Sequence, residues 1–117
     1  MSKDEKIIQA VFFQTELGRF PVREWLKMEL SAEQRTAIGS DIRTVEFNWP
    51  VGMPLVRKLE TDLWEVRTRM ESGIARVLFT VACGSMILLH GFVKKSQKTP
   101  MQELDLARRR LALLKGN

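Results

Sequence analysis

The sequence predicts an α+β domain: a small antiparallel sheet packed by an N-terminal helical hairpin and a C-terminal helix. Three observations predict it. β-rich runs joined by hairpin-length links fill the second half, and apolar residues recur with helical spacing on either side of that block. No repeat, low-complexity stretch or Gly/Ser linker interrupts the 117 residues. A chain of this length supports one hydrophobic core, so residues 1–117 are read as a single domain. Its 44% hydrophobic and 28% charged residues are those of a globular protein and exclude a disordered one.

The elements follow in order. Lys6–Phe13 (KIIQAVFF) is β-rich, bounded by charge before it and Gly18 after it, and predicts a strand. Pro21 suits a first helical position, and Val22, Trp25, Leu26 and Leu30 recur at helical spacing behind it. Ser31 and Gln34 have capping-box spacing and open a second helix. Its stripe is Ile38, Ile42 and Val45, and it must stop before Pro50. Trp49–Pro54 is a breaker loop. Strands are then expected over Leu63–Met70, Ile74–Ala82 and Met86–Val93, with glycine in both links. In the first, Leu63, Glu65, Arg67 and Arg69 share one face, and Trp64, Val66, Thr68 and Met70 the other. The last is apolar on both faces, which suits a central position. Thr99 and Gln102 repeat the capping-box spacing with Pro100 at the first helical position. Leu104, Ala107, Leu111 and Leu114 then line one face of a terminal helix.

Several function classes fall away. The longest apolar runs are far below the roughly 20 residues that cross a bilayer, so no membrane partner is expected. The MSKDEK start has no apolar region behind it and no small-residue cleavage site, so export is not expected. Cys83, the only cysteine, excludes an intrachain disulfide and a Cys-clustered zinc site, which fits a reducing cytoplasm. His90 is the only histidine and no carboxylate cluster has ligand spacing, so neither a metal nor another cofactor is expected.

Charge is unevenly spread. Residues 1–93 hold 12 Lys+Arg against 12 Asp+Glu, whereas residues 94–117 hold 7 against 2 and carry all of the net +5. Much of that excess sits where Leu88–Pro100 (LLHGFVKKSQKTP) turns from an apolar strand into the terminal helix. A localised basic patch attracts phosphate, and a helix N-terminus adds free N–H groups. Lys94, Lys95 and Lys98 in that turn are either a solvated loop or an anion site. Arg76, on the strand face of Ile74 and Leu78, is either an ion-pair partner of Glu65 or Glu71 or a bidentate phosphate clamp. Arg67 and Arg69 form either a polar face or, with Arg76 across the hairpin, a concentration of positive potential. His90 is either a hydrogen-bonded core residue or a proton shuttle. Trp25, Trp49 and Trp64 sit in apolar patterns that favour packing over base stacking. Arg108–Arg110 read as an exposed helix face or a contact for an acidic partner.

Leu63–Arg69 (LWEVRTR), Ile74–Val81 (IARVLFTV) and Leu88–Pro100 resemble the HigB-type, phage-derived branch of the RelE/ParE toxin superfamily. The resemblance covers nearly the whole chain, with the first 50 residues matching in element order only. It implies a RelE-like fold, a helix-turn-helix antitoxin as partner, and metal-independent endoribonuclease cleavage of mRNA on the ribosome. By the same resemblance Arg76 engages the scissile phosphate, Lys94 or Lys95 is the basic residue after the last strand, Arg67 and Arg69 belong to the basic strand before it, and His90 contributes to catalysis. Lys98 joins the RNA contacts through its place in the same turn. Arg108, Arg109 and Arg110 are assigned to the antitoxin. No aromatic follows Phe92, so the base-stacking aromatic of many relatives has no counterpart. Two other readings compete: a ParE-like gyrase inhibitor that cuts no RNA, and a non-catalytic nucleic-acid-binding domain.

Overall fold

The computed structural model describes residues 5–116; most of the MSKDEK start lies outside them. The elements are β1 (Gln9–Phe12), α1 (Pro21–Met28), α2 (Ala32–Asn48), β2 (Val56–Glu60), β3 (Leu63–Met70), β4 (Gly73–Ala82), β5 (Ser85–Lys94) and α3 (Met101–Leu114). They build an α+β fold around a five-stranded sheet of order β1-β5-β4-β3-β2. The sheet is mostly antiparallel, but β1 runs parallel to β5, pairing Gln9 with Ser85 through Phe12 with Leu88. That parallel pair departs from the all-antiparallel expectation. β1 is also shorter than the predicted Lys6–Phe13, because its partner β5 begins at Ser85, opposite Gln9, and the pairing ends at Phe12 with Leu88.

β2 was not expected. Its sequence, VRKLE, has three charges in five residues and no strong strand pattern. Those charges suit an edge, where they discourage pairing with another chain. The opposite edge is guarded differently. The buried Glu46 of α2 accepts the Ala10 N–H through Oε2 at 2.7 Å and also pairs with Lys6. Its carbonyl accepts from Ile7 and Ile8.

The two faces of the sheet hold separate cores. α1 and α2 cover one with Val22, Ile38, Ile42 and Val45 against Val56, Val66, Val77, Phe79, Met86 and Leu88. The expected stripe of α2 is therefore buried as read, whereas in the first helix Val22 is buried and Trp25, Leu26 and Leu30, the last beyond the end of α1, are half-buried against the same core. Trp49, Trp64 and Phe79 form an aromatic cluster here, and Trp25 packs against the same core. α3 covers the other face, where Ala107 and Leu111 meet Phe13, Leu63, Leu78, Leu89 and Phe92. Leu114, expected on that stripe, is instead exposed at the helix end.

Local signals explain most boundaries. Pro21 opens α1, and Ser31 and Gln34 make both bonds of a capping box on α2. The turn between β4 and β5 places Cys83 at φ 51° and Gly84 at φ 77°. Two successive left-handed residues give the twist that a two-residue hairpin needs. The box expected on α3 does not form: Pro100 is the N-cap, and no side chain caps the helix. Thr99 spends its hydroxyl elsewhere. Among the described residues no helix is long and apolar enough to cross a membrane.

Gly91 marks a close helix–sheet contact. A Cβ there would lie 2.5 Å from two ring carbons of Trp25. Gly91→Ala is therefore expected to destabilise the fold by about 1–3 kcal/mol, the usual cost of overpacking. Urea unfolding followed by circular dichroism measures it, and an unchanged midpoint would contradict the contact.

Candidate nucleic-acid interface

The β5–α3 turn is held from below. Arg76 lies opposite Arg67 on one side and Phe92 on the other, so its side chain points to the α3 face beneath residues 96–98. Its guanidinium donates from Nη1 to the Lys98 carbonyl at 3.0 Å and from Nη2 to the Ser96 carbonyl. The residue is completely buried. It also lies over the Phe92 ring, 5.9 Å from the centroid. Burial pushes its pKa below the ordinary arginine value, while the nearby Glu65 carboxylate opposes the shift. A guanidinium stays charged even so.

This placement bears on both readings of Arg76. It makes no ion pair with Glu65 or Glu71, because Glu65 is taken by Arg67 Nη1 at 3.2 Å. It is no phosphate clamp in this conformation either, because its donors face loop carbonyls. Its role here is to position the turn.

Two further ties complete the anchorage. Thr99 Oγ1 donates to Glu65 Oε2 at 2.7 Å, and Arg67 Nη2 donates to Gln97 Oε1 at 3.1 Å. At the base of the turn, Gly73 (φ 140°) lies against the Lys94 carbonyl, where a Cβ would come within 3.0 Å. Residues 96–99 are thus bound to β3 and β4 through side chains, while Lys94, Lys95 and Lys98 are exposed to solvent. Beneath them lie two guanidiniums, Arg67 and Arg76, and one carboxylate, Glu65. The imbalance leaves positive potential under a positive surface.

Arg67 is nearly buried and occupied, whereas Arg69 is exposed on the same face. Arg57 on β2 stands opposite Glu65 and extends the basic row. Sequence reasoning missed Arg57 because it missed β2. It also missed Gln97 and Thr99 as anchors, since nothing in a polar loop marks which residue points inward.

His90 sits apart from the anchor. The register skips Leu89 between the pairs Phe79–Leu88 and Leu78–His90, so β5 carries one extra residue. The bulge turns both Leu89 and His90 toward α3. His90 Nε2 lies 2.6 Å from Glu103 Oε1, and Arg110 Nη1 is 3.4 Å from Nδ1 and 2.8 Å from the Leu89 carbonyl. An arginine facing Nδ1 assigns the proton to Nε2, the neutral tautomer. Burial lowers the His90 pKa, Glu103 opposes that, and Arg110 adds to it. His90 is therefore a hydrogen-bonded residue, as one of its two readings had it. It shares a cavity of ≈520 Å³ with Lys94, Glu103 and Trp25.

The three terminal arginines diverge. Arg108 pairs with Glu60 at 2.6 Å and with Asp105 at 2.9 Å, Arg109 is exposed, and Arg110 turns inward to His90. A single arginine-rich surface is not formed. Among the described residues no group of three or more His, Cys, Asp or Glu is placed to hold a metal ion.

A histidine whose folded pKa is depressed takes up fewer protons than it does when unfolded. Stability then rises with pH through the window below about 6.5 and is lost on acidification. The urea midpoint should fall between pH 7 and pH 5, and His90→Gln should flatten that part of the profile. An equal slope in both proteins would show that His90 does not carry it.

No curated protein matches the chain. The family model described as phage-derived protein Gp49-like matches residues 24–112, from within α1 to near the end of α3. A match over most of the chain, on this fold and with the basic turn inside it, places the protein in the phage-derived Gp49-like family, part of the RelE/HigB-like toxin group.

Proposed function

We propose that the protein is the toxin of a type II toxin–antitoxin pair and cuts mRNA on the ribosome as a metal-independent endoribonuclease. One observation carries the reading: Lys94 at the end of β5, and Lys95 and Lys98 after it, stand exposed along a turn that Arg76 holds by the Ser96 and Lys98 carbonyls, Arg67 by the Gln97 side chain, and Thr99 by its bond to Glu65. A solvated loop needs no such anchorage. A site that must hold a phosphate in line with its attacking group does.

The chemistry asked of the site is limited. The RNA 2′-oxygen attacks its own phosphorus, the bond to the 5′-oxygen breaks, and a 2′,3′-cyclic phosphate forms. The lysines stabilise the charge gathering on the phosphoryl oxygens and deliver a proton to the leaving 5′-oxygen. His90 lines the same cavity as Lys94, and with Arg110 displaced from Nδ1 by the RNA, that nitrogen accepts the 2′-proton. Arg69 and Arg57 extend the contact along the backbone. Arg67 and Arg76 act through the turn. Activity confined to the ribosome follows from a site that positions charge on an open surface and leaves orientation of the message to its surroundings. A helix-turn-helix antitoxin is the proposed partner. Arg109 is its most available arginine, since Glu60 and Asp105 already hold Arg108.

Purified protein added to translating ribosomes should produce new mRNA ends, and none on free message. Lys95→Ala and Lys94→Ala should each lower cleavage, the catalytic one by roughly 100-fold, the scale of losing one transition-state donor. Intact message on ribosomes would move the reading to gyrase inhibition or simple binding.

Binding of single-stranded RNA should weaken with salt. Replacing Lys94, Lys95 and Lys98 together by alanine should reduce the slope of log K against log salt by about 2, for roughly 0.7 per phosphate contact. An unchanged slope would mean that the turn touches no phosphate.

A further inference from the structure

A second cavity adjoins the anchored turn, and the roles above use only Arg67, Arg69 and Gln97 of its lining. It measures ≈300 Å³ and is lined by Asp41, Met53, Pro54, Leu55, Arg67, Arg69, Ile74 and Gln97. Its origin lies in the sheet. β2 pairs with β3 only as far as Val66, after which the Arg67 N–H is met by the Leu55 carbonyl at 2.9 Å. Beyond that point the β3 edge is open, and the Met53–Leu55 loop, α2 and the basic turn enclose it.

Asp41 is unexpected among so many arginines. A carboxylate repels phosphate, so the cavity suits a ligand group that carries N–H donors and no negative charge. Thr68 Oγ1 donates to Asp41 Oδ2 at 2.7 Å and fixes the carboxylate. Among the described residues its Oδ1 has no donor. Gln97 is fixed in turn, because its Oε1 accepts from Arg67. That bond assigns its Nε2 amide hydrogens to the open side. The cavity thus offers a fixed acceptor and a fixed donor, with an apolar wall of Met53, Pro54, Leu55 and Ile74 and a guanidinium from Arg69. Its volume lies at the small end of ligand sites, which run from roughly 300 Å³ upward.

We infer that this cavity reads one base of the bound RNA, and that the base is guanine. Its Watson–Crick edge has two adjacent N–H donors, N1 and N2, which fit a carboxylate bidentately, one on Oδ1 and one on the second lone pair of Oδ2, and an acceptor, O6, beside them for Gln97. Adenine, cytosine and uracil each present a single donor position to the carboxylate. A charged acceptor taking two parallel N–H bonds discriminates more strongly than one taking a single bond. The apolar wall and Arg69 hold the ring faces, which replaces the stacking aromatic that this chain lacks after Phe92. The inference rests on the proposed RNA-directed function, whose phosphate contacts lie next to the cavity.

Fluorescence anisotropy at low salt, with oligouridine carrying a single guanine or a single adenine, tests it directly. Guanine is expected to bind roughly tenfold more tightly than adenine, the effect of one bidentate contact. Asp41→Asn, which keeps an acceptor for Thr68, should bring the two affinities together by weakening guanine more than adenine. Arg69→Ala should weaken both. Equal affinities in the wild-type protein, a preference for adenine, a guanine preference that survives Asp41→Asn, or no binding at all would overturn the inference. Cleavage on ribosomes is read separately. Message cut without guanine selectivity leaves the toxin reading standing and removes this one. Guanine-selective binding with uncut message does the opposite.

Discussion

A charge that cannot be neutralised lies beneath a loop that cannot leave it, and much of the molecule is arranged around that fact. Moving a guanidinium out of water costs several kcal/mol unless its donors are met. Arg76 is met by the Ser96 and Lys98 carbonyls and by the face of Phe92, while its Nε has no partner among the described residues. Lifting the turn would strand the guanidinium, so the turn is confined to the conformation that covers it. The same constraint reaches α3. Thr99 turns away from the helix to Glu65, and the helix starts one residue later without a side-chain cap. Local helix stability is forgone for an anchored loop.

The sheet makes this possible by being covered differently on its two faces. The α1–α2 face is apolar from Val22 to Met86 and holds most of the hydrophobic core. The α3 face is covered over only part of its area. Its apolar half, Leu63, Leu78 and Leu89, lies under Ala107 and Leu111, and its polar half, Glu65, Arg67 and Arg76, lies under the turn. One helix across one end of a face leaves the other end for charged side chains and the loop that meets them. The bulge at Leu89 belongs to the same division: it turns His90 toward Glu103 and Arg110 on α3 and away from the apolar core.

What was legible in the chain follows from which signals are local. The helical hairpin, the capping box at Ser31, the alternation of β3 and the central place of β5 depend on neighbours in sequence, and each emerged as read. β2 was hidden because an edge strand guarded by Arg57, Lys58 and Glu60 does not look like a strand. The parallel pairing of β1 was hidden because it joins residues more than 70 positions apart. At the site, the basic turn was visible as a charge imbalance, yet the direction of each side chain was not. Arg67, Arg69 and Arg76 look alike in sequence. Only the placement of Glu65 and of the 96–98 carbonyls separates the buried from the exposed. Arg108–Arg110 show the same limit, since three adjacent helix positions point in three directions.

That separation changes what the basic groups can do. An arginine on the surface pairs with phosphate at the entropic cost of ordering a long side chain and is screened by salt. An arginine inside adds its charge through low-dielectric protein and fixes the lysines above it, so that less is lost when a phosphate arrives. With Arg67 and Arg76 outnumbering Glu65 beneath the turn, the field there attracts an anion before any lysine moves. For a reaction whose nucleophile and leaving group both belong to the RNA, fixed charge at a fixed distance is the larger part of what a protein can supply. The buried arginine therefore serves the proposed chemistry better as a support for the turn than it would as a ligand to the phosphate.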